Sequence, residues 1–317
     1  MFYFWNFVRD EVKENGSCVL VVVAESSAAS PGRQGFKMAV SKDGKIKGTI
    51  GGGVLEVKII RKIEGFYEDE KKKVEIATYF HDENSEGEKS GLICGGSQTI
   101  VMRKLNADDL AEIEDVLATY ENGERKSLVI SSDLFFVHDI YDFAGKYFFE
   151  SNLGKFVYKE IIGKAETAYI IGGGHVGKEI AIALKRVGFY IVVIEKRAKL
   201  FTIDKDFPYD EHIITDFSKV AESIEEGEFS YVIIVTPKHI WDRDALKSVI
   251  NLNVKYIGVM GSKKKLNMIY ESLLSEGVDK NLFEKIHSPI GLKINSETPQ
   301  EIAISVAAEI ISVKNKR

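Results

Sequence analysis

The sequence predicts an α/β protein in which a C-terminal parallel-sheet domain follows an N-terminal α+β domain. Three observations carry this. A glycine-rich corner at 172–177 sits between an apolar strand and a helix, strands and helices alternate from there onward, and hairpin-like strand pairs precede it. At 317 residues the chain is long for one core, and two domains of roughly 100 to 200 residues fit it. The change of pattern near Gly163 divides it into domains 1–162 and 163–317.

Taken in order, 1–16 reads as an amphipathic helix ending near Gly16, and 17–25 (SCVLVVVAE) as a buried β-branched strand. SSAASPGRQG (26–35) is a loop, because Pro31, Gly32 and Gly35 neither extend a strand nor start a stable helix. FKMAV and IKGTI flank an Asp43-Gly44 hairpin turn. Gly51, Gly52 and Gly53 open a helix whose apolar residues Val54, Leu55, Ile59, Ile60 and Ile63 recur near helical spacing. A charged loop around 82–88 leads to a second unusual turn, where Cys94 precedes Gly95 and Gly96. Residues 108–120 read as a helix and 126–162 as short aromatic strands. Beyond 163, AYIIGGGHVG, KEIAIALKRVGF, YIVVIEKR, YVIIVTP and YIGVMGS give the β-α alternation of a parallel sheet. Thr298-Pro299-Gln300-Glu301 supplies a helix cap for the last helix, whose small apolar face suits packing on the sheet or on a second copy of the chain.

Acidic residues outnumber basic ones by 48 to 43, and no basic cluster is interleaved with aromatics, so a nucleic-acid partner is disfavoured. Lys71 to Lys73 and Lys263 to Lys265 read as solvated faces. Two cysteines cannot build a disulfide framework, which points to a reducing cytoplasm. No apolar run approaches the roughly 20 residues of a membrane span.

The chemistry centres on Gly172-Gly173-Gly174-His175-Val176-Gly177. In a strand–turn–helix unit the first glycine makes the turn, the second admits a pyrophosphate to the backbone, and the third lets helix pack on strand. This is a Rossmann-like corner. Glu195, about 20 residues on, is placed to accept from ribose hydroxyls, while Lys196 and Arg197 suit a 2′-phosphate, so NAD and NADP both remain open. Ligands of such sheets lie beyond the strands' carboxyl ends, which singles out Thr236 to His239 and Gly258 to Lys263, with Ser262 and Lys263 near a phosphate. His239 and Asp242 read either as a hydrogen-bonded or weakly metal-binding pair, or as an exposed His and a helix-start Asp. Gly48 to Gly53 (GTIGGG) is an anion nest or a tight turn, and lacks the Lys-Ser/Thr of a P-loop. Cys94 is a thiolate for a soft metal or sulfur-bearing cofactor, or a buried inert thiol; Cys18 is core.

Together these turns resemble the XdhC/CoxI family, the xanthine dehydrogenase accessory factors of molybdenum enzymes. The resemblance spans nearly the whole chain and rests on SSAASPGRQGFKM (26–38), GTIGGGVLE (48–56), ICGGSQ (93–98), GGGHVG (172–177) and EKR (195–197). It continues through TPKH (236–239) with Asp242, YIGVMGSKKK (256–265), SPIGLKI (288–294) and TPQEIAISVAAEI (298–310). It implies a carrier rather than a turnover enzyme, one that binds molybdenum cofactor (molybdopterin), assists its sulfuration and delivers it to a xanthine dehydrogenase-type hydroxylase. A cysteine desulfurase and a homodimer belong to the same expectation. Cys94 would touch the cofactor, and the amides around Gly51, Gly52 and Gly53 would line a pterin-phosphate site. Glu195 stands where the family commonly has Asp, and Pro237-Lys238 where it often has His-Asp, leaving His239 and Asp242. Two other readings compete: an NAD(P)-dependent oxidoreductase with His239 as its proton-transfer group, and a dinucleotide-sensing regulatory protein.

Overall fold

The structure, a computed structural model, describes residues 1–27, 29–81, 87–91, 95–139, 143 and 145–315. The chain forms two compact units, Met1–Lys164 and Ala165–Arg317. The first is α+β and the second is Rossmann-like α/β.

The first unit opens with α1 (Phe2–Asn15), which Gly16 terminates at φ 79°, a left-handed conformation that glycine adopts without steric cost. Strands β1 (Ser17–Ser26), β2 (Lys37–Ser41), β3 (Ile46–Gly48), β4 (Val74–Phe80), β5 (Glu88–Lys89) and β6 (Ser97–Asn106) form one sheet. Its order is β3-β2-β1-β6-β4-β5, antiparallel except between β4 and β5. A second, antiparallel sheet has the order β8-β7-β10-β9, from β7 (Arg125–Ser131), β8 (Phe135–His138), β9 (Tyr147–Asn152) and β10 (Lys155–Gly163).

Parity along β1 divides the apolar residues between two cores, because alternate side chains point to opposite faces. Val19, Val21 and Val23 meet Leu55, Ile59, Ile63 and Phe66 of α2 (Gly53–Glu68). Cys18, Leu20, Val22 and Ala24 meet α1, α3 (Leu110–Glu121) and the second sheet. Burying each large aliphatic chain contributes roughly 1.5–3 kcal/mol, so both faces of β1 stabilise the unit.

In the second unit β11 (Thr167–Ile171), β12 (Tyr190–Glu195), β13 (Glu211–Ile214), β14 (Gly227–Ile234), β15 (Val254–Val259) and β16 (Ile286–His287) make an all-parallel sheet. Its order, β13-β12-β11-β14-β15-β16, reverses direction between β11 and β14, the doubly wound arrangement. The apolar residues of α4 (His175–Arg186) and α7 (Pro299–Lys314) cover one face, and those of α5 (His239–Val249) and α6 (Lys263–Ser275) the other. The capping box of α7 forms as its sequence predicts: the Thr298 hydroxyl accepts from Glu301 N–H and the Glu301 carboxylate from Thr298 N–H. Of the two surfaces expected for this helix, it takes the sheet, through Ala303, Val306, Ala307 and Ile310. Edge strands β13 and β16 were not foreseen. One is half-polar and the other two residues long, so neither carries a periodic signal. Among the described residues no helix is long and apolar enough to cross a membrane.

Candidate functional site

At the corner after β11 the first and third glycines do what their spacing predicts. Gly172 turns at φ 112°, and a Cβ there would lie 2.8 Å from Val235 O. A Cβ on Gly177 would come within 2.1 Å of Gly172 O, so only glycine lets α4 seat this closely on the strand. Gly174 is the N-cap of α4 and faces open space. The first helical bond is Lys178 N–H to Gly174 O, which leaves the amides of His175, Val176 and Gly177 as the helix's unpaired N-terminal donors. His175 is exposed and stacks edge-on against Phe201, while the Val176 side chain packs into the α4 core.

The chain itself fills the rest of the corner. Glu195 is fully buried, and its carboxylate accepts from Gly173 N–H at 3.0 Å, Lys196 N–H at 2.9 Å and Arg197 N–H at 3.1 Å. The Arg197 guanidinium adds bonds of 3.0 and 2.8 Å. Burial alone would raise the Glu195 pKa, but the Arg197 guanidinium and the amides of Arg197 and Gly173 outweigh it and hold it below the usual carboxylate value. Five donors saturate the roughly four acceptor positions of a carboxylate, so the expected ribose acceptor is instead an internal clamp. Arg197, expected beside a 2′-phosphate, is committed to that clamp and lies over the Trp241 ring. From the other side the Thr202 hydroxyl donates to Gly173 O, and a Cβ on Gly173 would meet Ile203 at 2.5 Å. The supports of a dinucleotide-dependent oxidoreductase are therefore turned inward.

His239 and Asp242 do not form the pair read from the sequence. His239 is exposed at the first turn of α5, whereas Asp242 is fully buried one turn later. The Asp242 carboxylate accepts from Thr236 N–H at 3.0 Å and Thr236 Oγ1 at 2.7 Å, and pairs with Lys265 of α6. Burial lifts its pKa despite these partners. Thr236 thus belongs to a brace between the end of β14 and two helices. Among the described residues no group of three or more His, Cys, Asp or Glu could hold a metal. Ser262 caps α6 by accepting from Lys265 N–H, and Lys263 is exposed.

In the first unit, three glycine-rich segments come together. A Cβ on Gly32 would lie 1.9 Å from Ile50 O and 2.3 Å from Gln98 Nε2, and one on Gly51 would lie 2.5 Å from Gly32 N. Gly96 abuts Ser27 and Ser30, where Ser97 N–H donates to Ser27 Oγ at 2.8 Å and Ser30 Oγ to Ser97 O at 2.6 Å. The expected phosphate nest is already filled. Glu56 Oε2 accepts from Thr49 Oγ1 at 2.7 Å and from the amides of Ile50 and Gly52, each at 3.1 Å. Gly51 N–H donates to Thr49 Oγ1, and Gly53 begins α2. The turn is indeed an anion nest, but its anion is the helix's own first-turn carboxylate.

Two side chains missed by sequence reasoning lie beneath this convergence. His81 and Gln98 are both fully buried. Gln98 Nε2 donates to Ile50 O at 3.0 Å, and His81 Nδ1 bonds Ser90 Oγ at 2.6 Å. Among the described residues, His81 Nε2 and Gln98 Oε1 find no partner beyond each other. Burial depresses the His81 pKa, against a smaller opposing pull from Gln98. His81 also anchors the glycine pair: its N–H donates to Gly96 O at 2.7 Å and its carbonyl accepts from Gly95 N–H at 3.1 Å. A lone His at a strand end has no spacing signature, so only the fold could disclose it. Cys94, which precedes these glycines, lies outside the described residues.

Comparison with known proteins agrees with this architecture. A crystal structure of a xanthine dehydrogenase from Bacillus halodurans superimposes with a TM-score of 0.71 at 21% identity, over 99% of this chain and 96% of that one, and shows the same fold. The chain is 25% identical over 307 residues to YqeB of Escherichia coli (strain K12), an uncharacterized protein, covering 96% of this chain but 44% of that protein. It therefore spans less than half the length of that relative. It is 22% identical over 332 residues, 96% of each chain, to a Bacillus subtilis (strain 168) protein described as a probable xanthine dehydrogenase component. Sequence profiles match at 12–79, described as the XdhC and CoxI family, and at 168–310, described as the XdhC Rossmann domain. With one match in each structural unit and both from the same lineage, the chain belongs to the XdhC and CoxI family.

Proposed function

We propose that this chain is an accessory protein for a xanthine dehydrogenase-type molybdenum hydroxylase, holding molybdenum cofactor in its first unit while the cofactor is sulfurated and passed on. The observation that carries the reading is the meeting of three glycine-rich segments over the fully buried polar side chains of His81 and Gln98. Family membership and the name of the Bacillus subtilis relative support the choice of client.

The residues fit a polar heterocycle better than a phosphate on this turn, because Glu56 already holds the amides of Ile50 and Gly52. A cofactor bound here would bring a pterin ring for hydrogen bonding and a metal for the Cys94 thiolate. A cysteine desulfurase would supply the sulfur, and the work would take place in the cytoplasm beside the apo-hydroxylase. The second unit enters as a partner-facing or nucleotide-responsive module, since its α4 amides stay available while its ribose acceptor does not.

The test is to express the full chain in a host that makes molybdenum cofactor, denature the purified protein and measure released pterin by fluorescence after oxidation. We expect pterin approaching one per chain and a loss of at least tenfold in Cys94→Ala. Background pterin in the parent, or full retention in the variant, would end this reading.

A further inference from the structure

We infer that a polar cavity at one end of the six-stranded sheet of the first unit binds a compact polyanion, a small molecule carrying two or more phosphate or carboxylate groups. The cavity has a volume of about 320 Å³, the scale of a small-metabolite site. Strands β1 and β6 separate it from the glycine convergence. Ser17 and Asn106 lie at the cavity, while Ser26 and Ser97 lie at the other end of the same two strands, about 30 Å away. The cavity is therefore separate from the site of the proposed function.

The wall carries more positive charge than the fold consumes. Lys104 is spent: its ammonium donates to Phe66 O at 2.8 Å and lies 5.6 Å from the centre of the Tyr67 ring. Lys42 and Lys73, both exposed, line the same cavity, and among the described residues neither ammonium has a hydrogen bond or an ion pair. Glu70 is the carboxylate on this wall and is likewise unpaired there. Three ammonium groups less one carboxylate leave a formal charge of +2. Helices α1 and α2 also end beside the cavity, and each contributes roughly half a negative charge, so an excess of about one positive charge remains.

Neutral donors complete the wall. Ser17 is buried, at 8% exposure, and lines the cavity, yet its hydroxyl makes no hydrogen bond among the described residues. Asn106 Oδ1 accepts from Asp108 N–H at 2.8 Å, which leaves its NH2 as a donor. Tyr67 is a fixed surface, since its hydroxyl donates to Val40 O at 2.6 Å and accepts from Val19 N–H at 3.2 Å. Two ammonium groups, a hydroxyl and an amide call for a guest rich in acceptors and negatively charged, which describes phosphate and carboxylate groups. An exposed lysine gains little from a single anionic group, so occupancy requires a molecule that reaches both free ammoniums at once. Inorganic phosphate, with one such group, does not meet that condition.

The experiment titrates the full chain calorimetrically with pyrophosphate, citrate and inorganic phosphate. We expect pyrophosphate or citrate to saturate a single site, more weakly as sodium chloride is raised, and inorganic phosphate not to. Lys42→Gln and Lys73→Gln should each weaken binding about fivefold, and Glu70→Gln should strengthen it by about the same factor, a gain that damage to the fold does not produce. Ser17→Ala should also weaken it, with Trp5 fluorescence during urea unfolding checking that the first unit still folds. Preference for pyrophosphate assigns the site to diphosphates, preference for citrate to polycarboxylates, and equal affinity to either by charge. No saturable binding of either probe, inorganic phosphate bound as tightly, or affinity indifferent to all four substitutions overturns the inference. None of these readouts involves pterin or Cys94, so the proposed function stands or falls separately.

Discussion

Replacing Glu195 by Gln tests the claim that this residue holds its own corner together. The carboxylate accepts at Oε1 from two amides and Arg197 Nε, and at Oε2 from Gly173 N–H and Arg197 Nη2. Gln best keeps its oxygen in the three-bond position, which turns its NH2 toward Gly173 N–H and the guanidinium. A buried donor then faces a donor, costing about 1–3 kcal/mol. The Arg197 pair adds less, since that side chain is 34% exposed and screened by solvent. We expect a loss of about 2–4 kcal/mol confined to the second unit. The chain has two tryptophans, Trp5 in the first unit and Trp241 in the second, so urea unfolding can be followed separately in each. The Trp241 midpoint should fall and the Trp5 midpoint should not. Acid gives an independent check. A carboxylate depressed in the folded state stabilises fully above its unfolded pKa of about 4.3 and loses that contribution as pH falls further. The parent's Trp241 transition should therefore weaken below about pH 4 more steeply than that of Glu195→Gln. A variant matching the parent in urea, or an identical acid slope, refutes the clamp.

Three further outcomes follow from the same geometry. Gly177→Ala places a methyl 2.1 Å from Gly172 O, so the Trp241 transition should drop by about 2–3 kcal/mol, with no effect on Trp5. Glu56→Ala should destabilise the first unit by about 1–3 kcal/mol and make its melting temperature rise with added phosphate, which leaves the parent unaffected. Cys18 is fully buried, with its thiol pushed up to about 12 by burial and then by Glu11; peptide mass spectrometry should find it unalkylated by iodoacetamide at pH 8 until the chain is unfolded.

The backbone was more legible than the side chains. Glycine spacing at 172–177 exposed the turn and the close helix contact because both are steric demands on a single residue type. The Thr298 box was readable for a similar reason, since donor and acceptor lie three residues apart. Glu195 was found at the right place and given the wrong partner. Spacing fixes where a carboxylate begins, but not that the Gly173 amide and the Arg197 guanidinium turn in to fill it. Asp242 and Lys265 come from different helices and Gln98 and Ile50 from different segments, so those contacts exist only after folding. His81 had no neighbour in sequence to announce it.

Glu56 gives the glycine turn of the first unit a tethered competitor for any anionic guest. A side chain already in place acts at an effective concentration of millimolar order or above, so a weakly held phosphate gains no entry and only a ligand with further contacts wins the exchange. That turn therefore excludes the abundant small anions of a cell by default, and admission depends on what else the incoming molecule can grip.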